Sequence, residues 1–197
     1  RLLRQFYQAT EGTMRVGQVN LNKVSPKIWR NKCGVVMQDG FIFSDSIARN
    51  VALGQEINNK DRLAYAVELA NIRNFVEALP LAYDTRIGAS GLGLSEGQKQ
   101  KLLIARAIYK NPDYLFFDEA TTALDSFGEM VGMENLKEVF YNKTVVIIAH
   151  RLSTVREADH IIVLEDGEVV EQGQHDNLTF RGGAYYQLVR NQLELGA

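Results

Sequence analysis

The sequence predicts an α/β fold built on a mostly parallel sheet with helices on both faces, and three observations carry that prediction. Tyr114–Phe117, Thr144–Ala149 and His160–Leu164 are continuous apolar runs bounded by polar residues, the pattern of strands covered on both faces. Segments with helical spacing of apolar residues lie between and before them, so helices and strands alternate. The 197 residues are 46% hydrophobic, enough for a sizeable core, and the length fits one domain with an appended subdomain.

Each element follows in chain order. Met14–Leu21 alternates apolar and polar residues, as a strand with one wet face does, and Gly12 and Gly17 punctuate it. It is expected to belong to an antiparallel β subdomain within residues 1–30. Cys33–Met37 is a short apolar strand ending at Gln38. Asp61–Leu79 carries apolar residues at 63, 66, 67, 69, 70, 72, 75, 76 and 79 before Pro80, which predicts a single helix inside an all-helical insertion spanning about 40–90. Ser95 reads as a helix N-cap with Gln98 completing a capping box, and that helix should run to about Lys110, before Asn111-Pro112. Gly128 and Gly132 interrupt the helix expected between Ser126 and Phe140, each at a cost of about 1 kcal/mol relative to alanine. Asp166-Gly167 between two apolar runs predicts a hairpin with a two-residue turn. Ala184 to about Leu195 is an amphipathic helix.

Composition excludes several classes of function. With 22 basic and 24 acidic side chains there is no electrostatic footprint for nucleic acid, and none is expected as a partner. No apolar stretch approaches the roughly 18–20 residues that span a bilayer, so membrane association has to come through another domain or chain. Cys33 is the sole cysteine, which rules out an internal disulfide; its setting reads as a buried strand position rather than a reactive thiol.

Phosphate chemistry is the leading expectation from the residues themselves. Leu94-Ser95-Glu96-Gly97-Gln98 is a glycine-bearing turn opening a helix, able to offer backbone N–H groups and a helix dipole to an anion. Asp113–Glu119 is an apolar strand that ends in two adjacent carboxylates, Asp118 and Glu119. One carboxylate at that place suits Mg²⁺ and the other suits activation of water.

The order of these features resembles the ATP-binding cassette (ABC) ATPases. Leu94–Gln98 matches their LSxGQ signature, Tyr114–Asp125 (YLFFDEATTALD) resembles the Walker B and D-loop block, Val35–Asp39 the Q-loop, and Val145–Val155 the switch-histidine segment. The resemblance covers nearly the whole chain. It implies a P-loop NTPase-like sheet, ATP and Mg²⁺ as ligands, and ATP hydrolysis as the activity. The GxxxxGK[ST] loop of the family is not spelled in these residues. It is expected just upstream of Arg1, because RLLRQFYQATEG resembles the second half of the helix that follows it. On that expectation the strand leading into the loop is missing too, and the isolated 197 residues should be inactive, poorly stable and weak in ATP binding.

The resemblance assigns roles residue by residue. Asp118 corresponds to the ligand of Mg²⁺ through water, Glu119 to the catalytic glutamate, His150 to the switch histidine and Gln38 to the Q-loop glutamine near metal and water. Ser95, Glu96, Gly97 and Gln98 form the signature that contacts ATP held by an opposite subunit, and Asp125 is the D-loop residue crossing that interface. Glu96 stands where glycine is commoner and is expected to point away from nucleotide. Lys101 replaces the usual arginine after the signature, keeping the charge but losing the bidentate fork. His160 and His175 read as structural.

The implied partners are a second ABC ATPase domain, arranged head to tail, and a transmembrane domain fused N-terminally. The implied location is the cytoplasmic face of a bacterial inner membrane. The neighbourhood of Gln38 and the C-terminal segment resemble exporters, and the ending resembles peptidase-containing bacteriocin or peptide exporters; lipid-like cargo is the other option. A soluble ABC ATPase of translation or chromosome maintenance is the alternative. The chromosome type is disfavoured because Ser95 to Asp118 is uninterrupted by any coiled coil.

Overall fold

The computed structural model describes residues 2–37, 39–55, 59–118, 138–149 and 155–195. Packing divides the chain into two compact units, residues 1–147 and 148–197. In the first unit, a small antiparallel hairpin of β1 (Arg15–Val16) and β2 (Val19–Asn20) turns at Gly17 and precedes helix α1 (Pro26–Lys32), which leads into strand β3 (Cys33–Met37). Helices α2 (Ile47–Val51), α3 (Lys60–Leu69) and α4 (Arg73–Glu77) follow, then α5 (Glu96–Lys110) and strands β4 (Tyr114–Asp118) and β5 (Thr144–Ile148). The sheet order is β3-β4-β5, and β3 and β4 are parallel, in register from Cys33 opposite Tyr114 to Met37 opposite Asp118.

Both faces of the β3–β4 pair are covered, and their alternation decides which residues go where. Val36, Leu115 and Phe117 face the main core, which includes Leu102, Ala105 and Tyr109 of α5 and the apolar residues of α2 and α3. Cys33, Tyr114 and Phe116 face a smaller cluster around Leu21 and Trp29, where the Trp29 and Tyr114 rings stand 4.8 Å apart. Lys110, at the end of α5, donates to the carbonyls of Arg30 and Cys33 at 2.7 and 2.6 Å, satisfying acceptors at the end of α1. A Cβ on Gly34 would lie 2.6 Å from the Pro112 ring, so only glycine allows the chain leaving α5 to lie this close to β3.

Three expectations are corrected. Asp61–Leu79 is not one helix. Asn71 sits in the left-handed region (φ 49), and its N–H bonds the Glu68 carbonyl while Ile72 bonds that of Val67, a Schellman end to α3. The apolar spacing survives the break because Leu63, Ala66, Val67, Leu69, Ala70, Ile72 and Val76 are all buried. Near the start, only Leu2–Arg4 is helical, as a 3₁₀ turn; Gln5 turns the backbone at φ 55 and the Trp29 indole donates to the Leu3 carbonyl at 2.7 Å. The apolar run at Ile161 is not covered on both faces. In the second unit it forms β6 (Ile161–Glu165), paired antiparallel with β7 (Glu168–Gly173), because Asp166 (φ 50) and Gly167 (φ 85) close a two-residue turn. Ile161 and Val163 are buried while Ile162 and Leu164 are exposed, so the apolar run has one wet face. The same holds for β5, where Val145 and Ile147 pack on the core and Val146 and Ile148 are exposed.

The second unit closes on Leu178, fully buried in α6 (His175–Arg181), and on Tyr185 and Val189 of α7 (Ala184–Leu195). Glu171 accepts the Tyr185 N–H at 2.7 Å at the start of α7, and the Tyr185 hydroxyl lies 2.8 Å from His175 Nδ1. The contact ties His175 to Tyr185 within this unit.

Two outcomes follow from this packing. Leu102 is 1% exposed at the centre of the core, so Leu102→Ala should cost about 2–5 kcal/mol in urea unfolding; a loss below about 1 kcal/mol would show that α5 is not packed as described. Burial pushes the Cys33 thiol up to about 11 from its ordinary 9.0, outweighing the opposing pull of Lys110 and Arg4, and its Sγ–H donates to the Trp29 carbonyl at 3.3 Å. Iodoacetamide should therefore leave native Cys33 unmodified at pH 8 and label it after denaturation. The unfolded thiol ionises first, so the stability that Cys33 contributes is complete below pH 9.0 and lost as pH rises towards 11.

Candidate nucleotide site

Helix α5 begins at an exposed, pre-formed N-terminus. Ser95 caps it in an extended conformation; its Oγ accepts the Gln98 N–H at 3.2 Å, and Gln98 Oε1 accepts the Ser95 N–H at 2.9 Å. Since the Ser95 oxygen acts as acceptor in the cap, its O–H proton can be given to a ligand. The N–H groups of Glu96 and Gly97 precede the first intrahelical bonds, so they are unspent donors at the positive end of a 15-residue helix.

Gly97 is informative because nothing among the described residues of its own chain requires it. It is exposed, its φ lies outside the left-handed region, and a Cβ there would meet no atom within 4 Å. A glycine in a helix with open space above it costs conformational entropy without any packing return inside the chain. Glu96 is also exposed, and its carboxylate lies 3.6 Å from Lys99 Nζ, one turn along the helix surface. Such a pair contributes little, and its main effect is to draw the carboxylate along the helix flank.

Asp118 ends β4 and is exposed, opposite Met37 at the carboxyl end of the parallel pair. In open α/β sheets that end is where ligands bind. Among the described residues, no three His, Cys, Asp or Glu side chains cluster as a metal site. A carboxylate at a strand end is the donor type that Mg²⁺ takes, one or two at a time, with waters and beside substrate phosphates. Gln38 and Glu119 follow Met37 and Asp118 in sequence; both lie outside the described residues, as do Asp125 and His150.

The structure thus places Ser95, Glu96, Gly97 and Gln98 together on one helix end and Asp118 at a strand end. The sequence reading missed two residues that join these elements to the rest of the unit. Asn50 is 1% exposed, the one fully buried polar side chain among the described residues, and Arg106 of α5 donates to it. Their signal was present in the sequence: a lone amide in Ile47–Val51 and a lone cation in Ile104–Ile108, each inside an otherwise apolar helix face.

Comparison with known proteins agrees with these motifs. A family profile described as ABC transporter matches residues 1–122. The chain belongs to the ABC transporter family. Among ABC proteins, it is 42% identical over 195 residues to leukotoxin translocation ATP-binding protein LktB of Mannheimia glucosida, covering 99% of this chain and 27% of that protein. It is 43% identical over 192 residues to ABC transporter B family member 21 of Arabidopsis thaliana, covering 97% of this chain and 15% of that protein. A solved bacterial Atm1-family ABC exporter with ATP bound superposes with a TM-score of 0.90 at 39% identity, over 98% of this chain and 34% of the exporter chain. The chain therefore spans about a third or less of the length of these relatives, and the α/β fold expected from the sequence is that of an ABC exporter's ATPase domain.

The capping box gives a direct test. Ser95→Ala should destabilise the ABC domain by about 1 kcal/mol through loss of the cap alone. Amide exchange in residues 96–99 should rise while that of residues 102–109 stays unchanged; exchange that rises equally along α5 would mean the cap is not what holds this end.

Proposed function

We propose that this chain is part of the ATP-binding and ATP-hydrolysing domain of an ABC exporter. The observation that carries the reading is the exposed capped helix at Ser95–Gln98, with a glycine that nothing among the described residues of its own chain needs, in a protein whose fold and sequence match an exporter described with ATP bound. A surface that keeps unspent N–H donors and forgoes a side chain is suited to a phosphate presented by another molecule.

In this reading Ser95 and Gly97 donate to the γ-phosphate of ATP held by a second ABC ATPase domain, with Gln98 holding the cap and Glu96 turned along the helix flank. Asp118 would hold Mg²⁺ through water, and the ion when bound would supply neutralisation of phosphate charge. Glu119 takes the proton of the attacking water as general base, a role that typically contributes about 10²–10⁴ in rate. His150 would hold water and Glu119 in register at the γ-phosphate, Gln38 would act near metal and water, and Asp125 would cross the interface between the two domains. The family's phosphate-gripping GxxxxGK[ST] loop is not spelled in residues 1–197.

Coupling to a transmembrane domain, at the cytoplasmic face of the membrane, completes the exporter. Residues 1–30 would be an antiparallel β part, about 40–90 the helical part entered through the Q-loop, and 91–197 the remainder of the catalytic part. Two similar proteins are named for toxin translocation, and a polypeptide is the cargo class we favour.

Three variants of the full-length protein test this. Glu119→Gln should retain MgATP binding and lose at least about 10²-fold in steady-state turnover; turnover within twofold of the unmutated protein would remove Glu119 from the base role. His150→Ala should impair turnover more than binding, and a collapse of affinity with normal turnover per bound ATP would contradict its role. MgATP should drive association of Glu119→Gln ATPase domains, and adding Gly97→Asp should abolish that association; its persistence would show that Gly97 does not face the partner's nucleotide.

A further inference from the structure

The segment that leads from β3 into α2 is tied to the signature helix by a partly buried polar clasp. Gly40 runs so close to α5 that a Cβ would lie 2.2 Å from Leu103 Cδ1. Beyond it, Arg106 of α5 gives three directed bonds to this segment and to α2. Its Nη1 donates to the Phe41 carbonyl at 3.0 Å, its Nε to the Asn50 carbonyl at 2.8 Å and its Nη2 to Asn50 Oδ1 at 3.3 Å.

Asn50 extends the network. Its Oδ1 accepts the Phe43 N–H at 2.8 Å, and its Nδ2 donates to the carbonyls of Phe43, Ser46 and Asp45 at 2.9, 3.1 and 3.3 Å. Burial lowers the Arg106 guanidinium to about 10, and none of these partners is a carboxylate, so the site bears a desolvation cost that an apolar side chain would avoid. An apolar pair could fill the same space but could not fix the direction of the five backbone carbonyls of Phe41, Phe43, Asp45, Ser46 and Asn50. Outside the clasp, Phe41 and Phe43 stand edge to face at 4.9 Å, 68% and 41% exposed, with Arg106 over the Phe43 ring at 5.8 Å.

The same segment is also held by the loop that leads into Ser95. Ile47 and Ile87 donate to the carbonyls of Thr85 and Asp45 at 3.0 Å, and a Cβ on Gly88 (φ +88) would lie 2.9 Å from the Phe43 carbonyl oxygen. Residues 41–50 are therefore gripped from both sides of the signature.

We propose that Arg106 and Asn50 are positioning residues that join α5 and residues 41–50 into one mechanical unit, so that displacement of the Ser95–Gln98 end on nucleotide binding reaches Phe41 and Phe43. This rests on the proposed function, since it needs nucleotide to act at the signature. The clasp then carries the nucleotide state to a surface that touches no nucleotide.

The test is hydrogen exchange on the full-length protein in lipid nanodiscs, in the Glu119→Gln background, with and without MgATP. Without further change, residues 95–99 and 41–50 should both gain protection on MgATP binding. Arg106→Met keeps the chain length and removes the donors; residues 95–99 should still respond while the response of 41–50 falls about fivefold. Arg106→Lys keeps one charged donor and should fall between, and it decides the matter on the same criterion if Arg106→Met does not fold. A full response of 41–50 in either folded variant, even with a lowered Tm, would make the clasp purely structural and overturn the inference. No MgATP response at 95–99 in the protein without an Arg106 change would instead overturn the functional reading and, with it, this inference.

Discussion

Everything proposed for this domain depends on one helix being fixed along its length and open at one end. Leu102, Leu103, Ile104, Ala105, Ala107 and Tyr109 bury α5 against β3, α2 and α3, which supplies the apolar area that orders the helix. Its C-terminal end is closed by Asn111 in the left-handed region and by the Lys110 ammonium reaching across to β3. The capping box closes only part of the other end, so the donors of Glu96 and Gly97 stay available. A rigid element with an unsatisfied polar end is how a protein presents backbone N–H groups to a phosphate without reorganising at the moment of binding.

The sheet adds the second requirement, a carboxylate delivered at a set height. Parallel pairing in register puts Asp118 opposite Met37 at the end of β4, and the alternation of Leu115 and Phe117 with Tyr114 and Phe116 anchors β4 on two separate clusters. A strand held on both faces cannot slip by one residue without inverting both clusters. The position of Asp118 is thus a consequence of packing, and the chemistry proposed for that strand end would inherit the precision of the core.

Much of this was legible in the sequence where a residue type admits one local solution. Ser95 and Gln98 announced the cap, Asp166-Gly167 the two-residue turn, and the apolar spacing of residues 63–79 the buried face. The failures have physical causes. Asn71 takes the left-handed conformation and ends α3 while preserving the apolar period, so periodicity alone could not reveal the break. Continuous apolar runs in β5 and β6 looked covered on both faces, yet Val146, Ile148, Ile162 and Leu164 are exposed; periodicity records composition and is blind to which neighbour is present. Arg106 and Asn50 escaped because their partners are backbone carbonyls far away in sequence, which no local pattern encodes.

The central claim is that the α5 N-terminus serves a nucleotide bound by another ABC domain. It is tested most directly by an experimental structure of the full-length Glu119→Gln protein with MgATP bound. The account predicts that Ser95 Oγ and the Gly97 N–H lie within hydrogen-bond distance, about 2.7–3.2 Å, of a γ-phosphate whose other contacts come from the second domain. A γ-phosphate held wholly by one chain, with Ser95 and Gly97 facing solvent, would contradict it.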